Sequence, residues 1–224
     1  MSHLHNPFRY DYVGSFLRPE NLKQARRAFD EGKIDYAKLK EVEDQAITDM
    51  ITKVKSLGYH VITDGEFRRA TWHLDFMWGL DGVGHVKTKT GLPFHGEAAM
   101  IDDTYLVGKI GLSKEHPFVE HFRFVKQFED ENTVAKQTIP APAQVLAQFT
   151  MPFNREATEK FYDSDDQLID DLVTAYKKVI DDLYAAGCRN VQLDDCTWGM
   201  LADKTAPLAY GTTVEGLQKI QSIM

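Results

Sequence analysis

Apolar and polar positions alternate at close to helical spacing through residues 36–57, YAKLKEVEDQAITDMITKVKSL. Leu39, Val42, Ala46, Met50, Ile51, Val54 and Leu57 share one side and the charges the other, which predicts an amphipathic helix. Asp35 stands where an N-cap belongs, and Gly58 where a left-handed residue closes a helix. YHVIT follows, short and β-branched, and reads as a buried strand. Residues 165–186 repeat the plan, with Leu168, Leu172, Ala175, Tyr176, Val179, Ile180 and Leu183 facing inward. Gly187 ends that helix, and NVQLDD reads as a strand finishing in acids. Asp64 lies six residues after Gly58, and Asp194 seven after Gly187, so the two segments match in order.

Further strands are expected over 10–16, 104–112 and 134–142, with helices at about 20–31 and 117–128. The second helix begins at Pro117 and turns Phe118, Phe122, Val125 and Phe128 inward. Residues near 82–103 read as an irregular or hairpin insertion. Helix followed by buried strand, recurring, predicts a parallel α/β fold. No Ser/Gly-rich linker divides the chain, which predicts a single domain over 1–224. In parallel α/β folds a ligand lies beyond the carboxyl ends of the strands. Gly14-Ser15, Asp64-Gly65-Glu66, Pro140-Ala141-Pro142 and Asp194-Asp195 all fall at such ends.

Composition narrows the field of functions. A formal net charge of −8 disfavours a nucleic-acid partner, which needs a basic face, and an anionic membrane surface. No apolar run approaches a spanning length, and the first residues lack the apolar core of a secretory signal. Two cysteines, Cys188 and Cys196, are too few for a disulfide framework, so a reducing, cytoplasmic setting is expected. The small-molecule class remains.

Each candidate group has a functional and a plain reading. Glu66 could grip an ammonium or orient a thiol, or be a turn carboxylate. Gly14-Ser15 could offer backbone donors to a carboxylate, or form an ordinary strand-to-helix turn. Asp194 and Asp195 are adjacent, so within a regular strand only one faces a pocket, and alternation with Gln192 favours Asp194. Trp72, Phe76 and Trp78 could stack on a flat ligand or pack as core. Arg68 and Arg69 could recognise anions or stay solvated. Arg18, Asp64, His73, Cys196 and Trp198 complete the candidate pocket. No HExxH, CxxC or phosphate-binding glycine loop occurs.

Taken together, YVGSFLRP, VITDGEFRR and VQLDDCTWG resemble the catalytic domain of cobalamin-independent methionine synthase, above all its shorter single-domain members. The resemblance runs through nearly the whole chain in the same order. It implies a TIM-type (β/α)8 barrel and transfer of a methyl group to a small thiol such as homocysteine. It also implies zinc as cofactor and a folate-type methyl donor. By position it makes Val13, Gly14 and Ser15 the segment that holds the amino-acid substrate. Glu66 becomes the contact to its amino group, and Asp194 a further substrate contact. Asp195 and Cys196 depart from the family's I-D-E-P-A pattern. A second H-G-E, His95–Glu97, follows no apolar strand and is taken as a decoy. The zinc ligands implied by the resemblance come after the LDD strand, and neither cysteine matches them. About five of the eight βα units are therefore expected, in a truncated member, with no catalytic or metal residue assigned. Open sheet edges would favour a homo-oligomer or a further C-terminal segment. Two other readings stay open: an inactive remnant that still binds an amino acid, and another thiol transferase of the same superfamily.

Overall fold

The computed structural model describes residues 11–87, 92–94, 97–99, 102–209 and 211–223. In chain order the elements are α1 (Glu20–Asp30), α2 (Tyr36–Ser56), β1 (Val61–Ile62), α3 (Leu74–Met77), β2 (Asp81–Val86) and β3 (Leu92–Phe94). There follow β4 (Glu97–Ala99), β5 (Asp103–Gly111), α4 (Pro117–Lys126), β6 (Val134–Ala135), β7 (Gln137–Pro140) and α5 (Pro142–Thr150). The chain continues with α6 (Pro152–Glu159), α7 (Asp165–Ala185), β8 (Val191–Asp194), α8 (Trp198–Ala202), α9 (Ala206–Ala209) and α10 (Val214–Gln221). His95 and Gly96 of the H-G-E triplet lie outside the described residues.

Two compact units partition these elements. The first holds the chain through Ala70, Phe118–Thr138 and Ala186–Gln192. Its centre is the parallel pair β1–β6, Val61 against Val134 and Ile62 against Ala135. All four are buried, as expected of a strand covered on both faces. Leu39, Ala46, Ile47, Ile51 and Val54 bring α2 onto this core. Asp35 caps α2 by accepting from the Lys38 N–H at 2.8 Å, and Gly58 ends it at φ 84°. Both match the sequence reading. The buried stripe, however, is turned slightly from the expected one: Leu57 is exposed, Val42 only half-buried, and Glu43 is buried. The reason is electrostatic. Arg26 and Arg68 bond the Glu43 carboxylate at 3.1 and 3.0 Å, which lets that face of the helix bury a charge. Burial still holds the Glu43 carboxyl above its ordinary pKa.

The second unit holds Thr71–Pro117, Ile139–Ala185 and the chain from Leu193. Here β2 and β5 form an antiparallel hairpin, with β3 and β4 pairing between them in sequence. Helices α5, α6 and α7 pack with β5 around Leu106, Ile110, Val145, Phe149, Leu172 and Val179. Tyr176 is buried and donates to the Pro140 carbonyl at 2.8 Å. Ile180, expected inside, is exposed because α7 shows a narrower apolar stripe than its seven apolar positions suggested. Strands β7 and β8 also pair: in the first unit the Gln137 N–H donates to the Asn190 carbonyl, and in the second the Ala141 N–H donates to the Asp194 carbonyl. No described helix is long and apolar enough to cross a membrane.

The expected strand over 10–16 is not formed by its described residues, 11–16, which are irregular. Their bonds go to a turn instead of a ladder, and that turn carries the candidate chemistry.

Candidate functional site

Three residues past β1 the backbone changes hand. Gly65 has φ 64° and Glu66 φ 58°, and Glu66 is the one non-glycine with positive φ among the described residues. Such a conformation costs on the order of 1–3 kcal/mol and persists where its surroundings enforce it. The enforcing groups are nearby. Asp64 Oδ1 accepts from the Glu66 N–H at 2.9 Å, and the Thr63 hydroxyl accepts from the Gly65 N–H at 3.1 Å. A Cβ at Gly65 would stand 2.9 Å from the Met50 methyl, the movable end of a flexible side chain, so it is the positive φ that calls for glycine there.

The turn is strapped to the segment Val13–Arg18. The Phe16 N–H donates to the Gly65 carbonyl at 3.1 Å, and the Thr63 hydroxyl to the Gly14 carbonyl at 3.2 Å. Arg18 reaches the carbonyls of Glu66 and Arg69, both at 2.6 Å, so its described role is to brace the turn. Gly14 lies against the turn so closely that an added Cβ would meet the Thr138 methyl at 2.9 Å and Glu66 Oε1 at 3.2 Å. Backbone therefore comes within reach of a carboxylate. Val13 and Ser15 are exposed, and the Val13 carbonyl accepts from Gln192 at 2.6 Å.

Glu66 is itself only 5% exposed. Its Oε1 accepts from Arg69 Nη1 and from the Thr138 hydroxyl, each at 3.1 Å. Arg69, 1% exposed, also donates to the Thr138 carbonyl and hydroxyl at 2.7 and 2.8 Å and lies 4.4 Å from the Phe118 ring centroid. Neither arginine of the pair is solvated: Arg68 bonds Glu43 and Asp44, and Arg69 bonds Glu66. Asp64 is buried, and its Oδ2 has no hydrogen-bond partner among the described residues.

The remaining candidates belong to the second unit. Asp194 ends β8 and is half-buried. Asp195 lies past the strand, where its Oδ1 accepts from the Thr197 N–H at 2.7 Å. Cys196 donates to Gln144 Oε1 at 2.9 Å, and burial together with Asp195 raises its thiol pKa. Trp198 is exposed. Trp72 lies against His73, ring centroids 4.6 Å apart. The structure thus brings Gly14, Arg18, Asp64 and Glu66 into one network of the first unit, with Ser15 on the same segment.

Sequence reasoning missed Arg69 as the partner of Glu66, and missed Thr138 altogether. The available signal was a threonine inside the apolar run of VAKQTIPAP, where an unpaired hydroxyl would be costly. It likewise missed Gln144 and Gln148, two carboxamides one turn apart on an otherwise apolar helix, AQVLAQF.

His73 carries a pH prediction. Burial lowers its pKa from 6.5 to about 4. Between those values the unfolded chain takes up a proton that the folded chain does not, so stability is lost as pH falls from 6.5 toward 4. Urea unfolding of wild type and His73→Gln across that window should show the variant with the shallower decline; parallel curves would contradict it.

Over residues 10–219 the sequence matches the family described as cobalamin-independent synthase, catalytic domain. The uncharacterized protein YxjG of Bacillus subtilis is 38% identical over 96% of this chain and 56% of its own length. A solved structure from Listeria monocytogenes, provisionally named a vitamin-B12-independent methionine synthase, is 35% identical with a TM-score of 0.75. The match covers 97% of this chain and 59% of that one. A B12-independent methionine synthase from Shewanella sp. W3-18-1, solved with selenomethionine, shares the fold at 18% identity and a TM-score of 0.52, over 78% of this chain and 50% of its own. The chain spans about half the length of the curated relatives it matches.

Proposed function

The chain belongs to the cobalamin-independent synthase catalytic-domain family, and on that premise we propose that it binds a small sulfur amino acid such as homocysteine, as acceptor for a methyl group. The observation that carries the reading is Glu66, a buried carboxylate held in a left-handed conformation beside the backbone of Gly14. Strain of that kind collects at ligand-binding turns. A fixed carboxylate suits a substrate ammonium, and the neighbouring backbone and Ser15 hydroxyl suit the substrate carboxylate. Arg69 and Thr138 hold the carboxylate in place, so the ligand does not have to order it. The selenomethionine bound to the Shewanella protein has the ammonium and carboxylate that this reading requires. A TIM-type barrel, in whole or part, is the architecture proposed for the chain.

Methyl transfer also needs a thiolate, and a free thiol with pKa near 8.5 is mostly protonated at neutral pH. Zinc supplies that activation by deprotonating a bound thiol. Among the described residues no group of three His, Cys, Asp or Glu side chains could hold a metal ion, so they do not fit zinc and no step is assigned to it. That observation favours a second reading: a binding unit that holds the amino acid and lacks its own means of activating the thiol.

Calorimetric titration tests the binding claim. Homocysteine should bind at least tenfold tighter than 4-mercaptobutanoate, which lacks only the amino group. Equal affinities would contradict the role given to Glu66.

A further inference from the structure

A cavity of about 710 Å³ opens within the second unit between α5, α6 and the β2–β5 hairpin. That is ample for a small organic ligand. Val86, Tyr105, Met151 and Phe153 form its apolar wall. The formal charge on the wall has one sign. Asp102 and Asp103 line it, and no lysine or arginine is among the described lining residues. The remaining candidate cation, His73, stays neutral because burial holds its pKa at about 4, and its Nδ1 has no hydrogen-bond partner among the described residues. Asp102 is paired with His85, Nε2 to Oδ2 2.6 Å. The amides are partly committed: Gln148 and Asn154 donate to the Thr104 carbonyl at 3.3 and 2.8 Å.

A phosphorylated or polycarboxylate ligand entering this cavity would meet two carboxylates and, among the described lining residues, no lysine or arginine. A cation would meet aromatic rings and carboxylates together, the combination that recognises alkylated onium groups. We propose that the cavity binds an onium centre, a sulfonium or quaternary ammonium carried on a small organic molecule. Tyr105 and Phe153 contact its methyl groups, and Asp102 and Asp103 supply the opposite charge.

The onium site stands on the cavity alone and is independent of the acceptor reading above.

The test is titration of the full chain with benzyldimethylsulfonium and with its neutral counterpart, benzyl methyl sulfide. Neither carries an amino-acid group, so neither reports on Glu66. The sulfonium should bind at least tenfold tighter, and the preference should collapse in Phe153→Ala and in Asp103→Asn, both at exposed positions that the fold tolerates. Pteroyltriglutamate should not displace the sulfonium. Equal binding of the two probes, displacement by pteroyltriglutamate, or an unchanged preference in both variants would overturn the assignment. Homocysteine titrated in parallel separates the two claims. Homocysteine bound without the sulfonium removes the onium site alone, and the reverse removes the acceptor reading alone.

Discussion

Arg69→Ala is expected to destabilise the protein by about 3–5 kcal/mol, the usual cost of removing one partner from a buried ion pair. Arg69 is 1% exposed, and its guanidinium serves the Glu66 carboxylate and both oxygens of Thr138. Truncation strands a carboxylate in a dry setting and leaves two buried acceptors short of a donor. It also removes the packing against Phe118. Against a typical total stability of roughly 5–15 kcal/mol, the loss is large. Most of it should come from the charge left behind, not from the lost bonds. The double variant Arg69→Met, Glu66→Gln should therefore recover part of the stability of the single one. Urea denaturation of the three proteins measures this directly, and a loss below 1 kcal/mol for Arg69→Ala would remove the buried pair as an organising feature.

Glu66→Gln is expected to weaken homocysteine binding on the order of 100-fold while the chain still folds. Glutamine keeps the oxygen that Arg69 and Thr138 bond, but gives up the charge a substrate ammonium needs. Removing one member of a hydrogen-bonded charge pair in a binding site costs about 2–5 kcal/mol, which brackets that factor. Circular dichroism establishes the fold, and calorimetry the affinity. Glu66→Asp keeps the charge on a shorter stem and should fall between wild type and glutamine. Unchanged affinity in Glu66→Gln would remove Glu66 from the binding site, whatever its effect on stability.

How legible this was in the sequence depended on whether the deciding interaction was local. The cap at Asp35, the stop at Gly58 and the helix begun by Pro117 are set by neighbours a few residues away, and all three are found in the structure. Glu66 drew notice because apolar strand, glycine and acid stand side by side. Its left-handed backbone was not legible, since the turn is braced by the distant Val13–Arg18 strap. The segment 10–16 looked like a strand by composition, yet its described residues, 11–16, bond the turn through Phe16 and Gly14. Glu43 looked solvated because Arg26 and Arg68, its partners, are 17 and 25 residues away. Thr138 and Gln144 were hidden for the same reason: a polar residue in an apolar run shows that a partner exists without saying which.

The most direct measurement is a crystal structure of the protein grown with homocysteine. The account predicts the ligand's ammonium nitrogen at about 2.7–3.2 Å from the Glu66 carboxylate, ordinary hydrogen-bonding range. Homocysteine found elsewhere in the crystal, with Glu66 making no contact to its nitrogen, would contradict it.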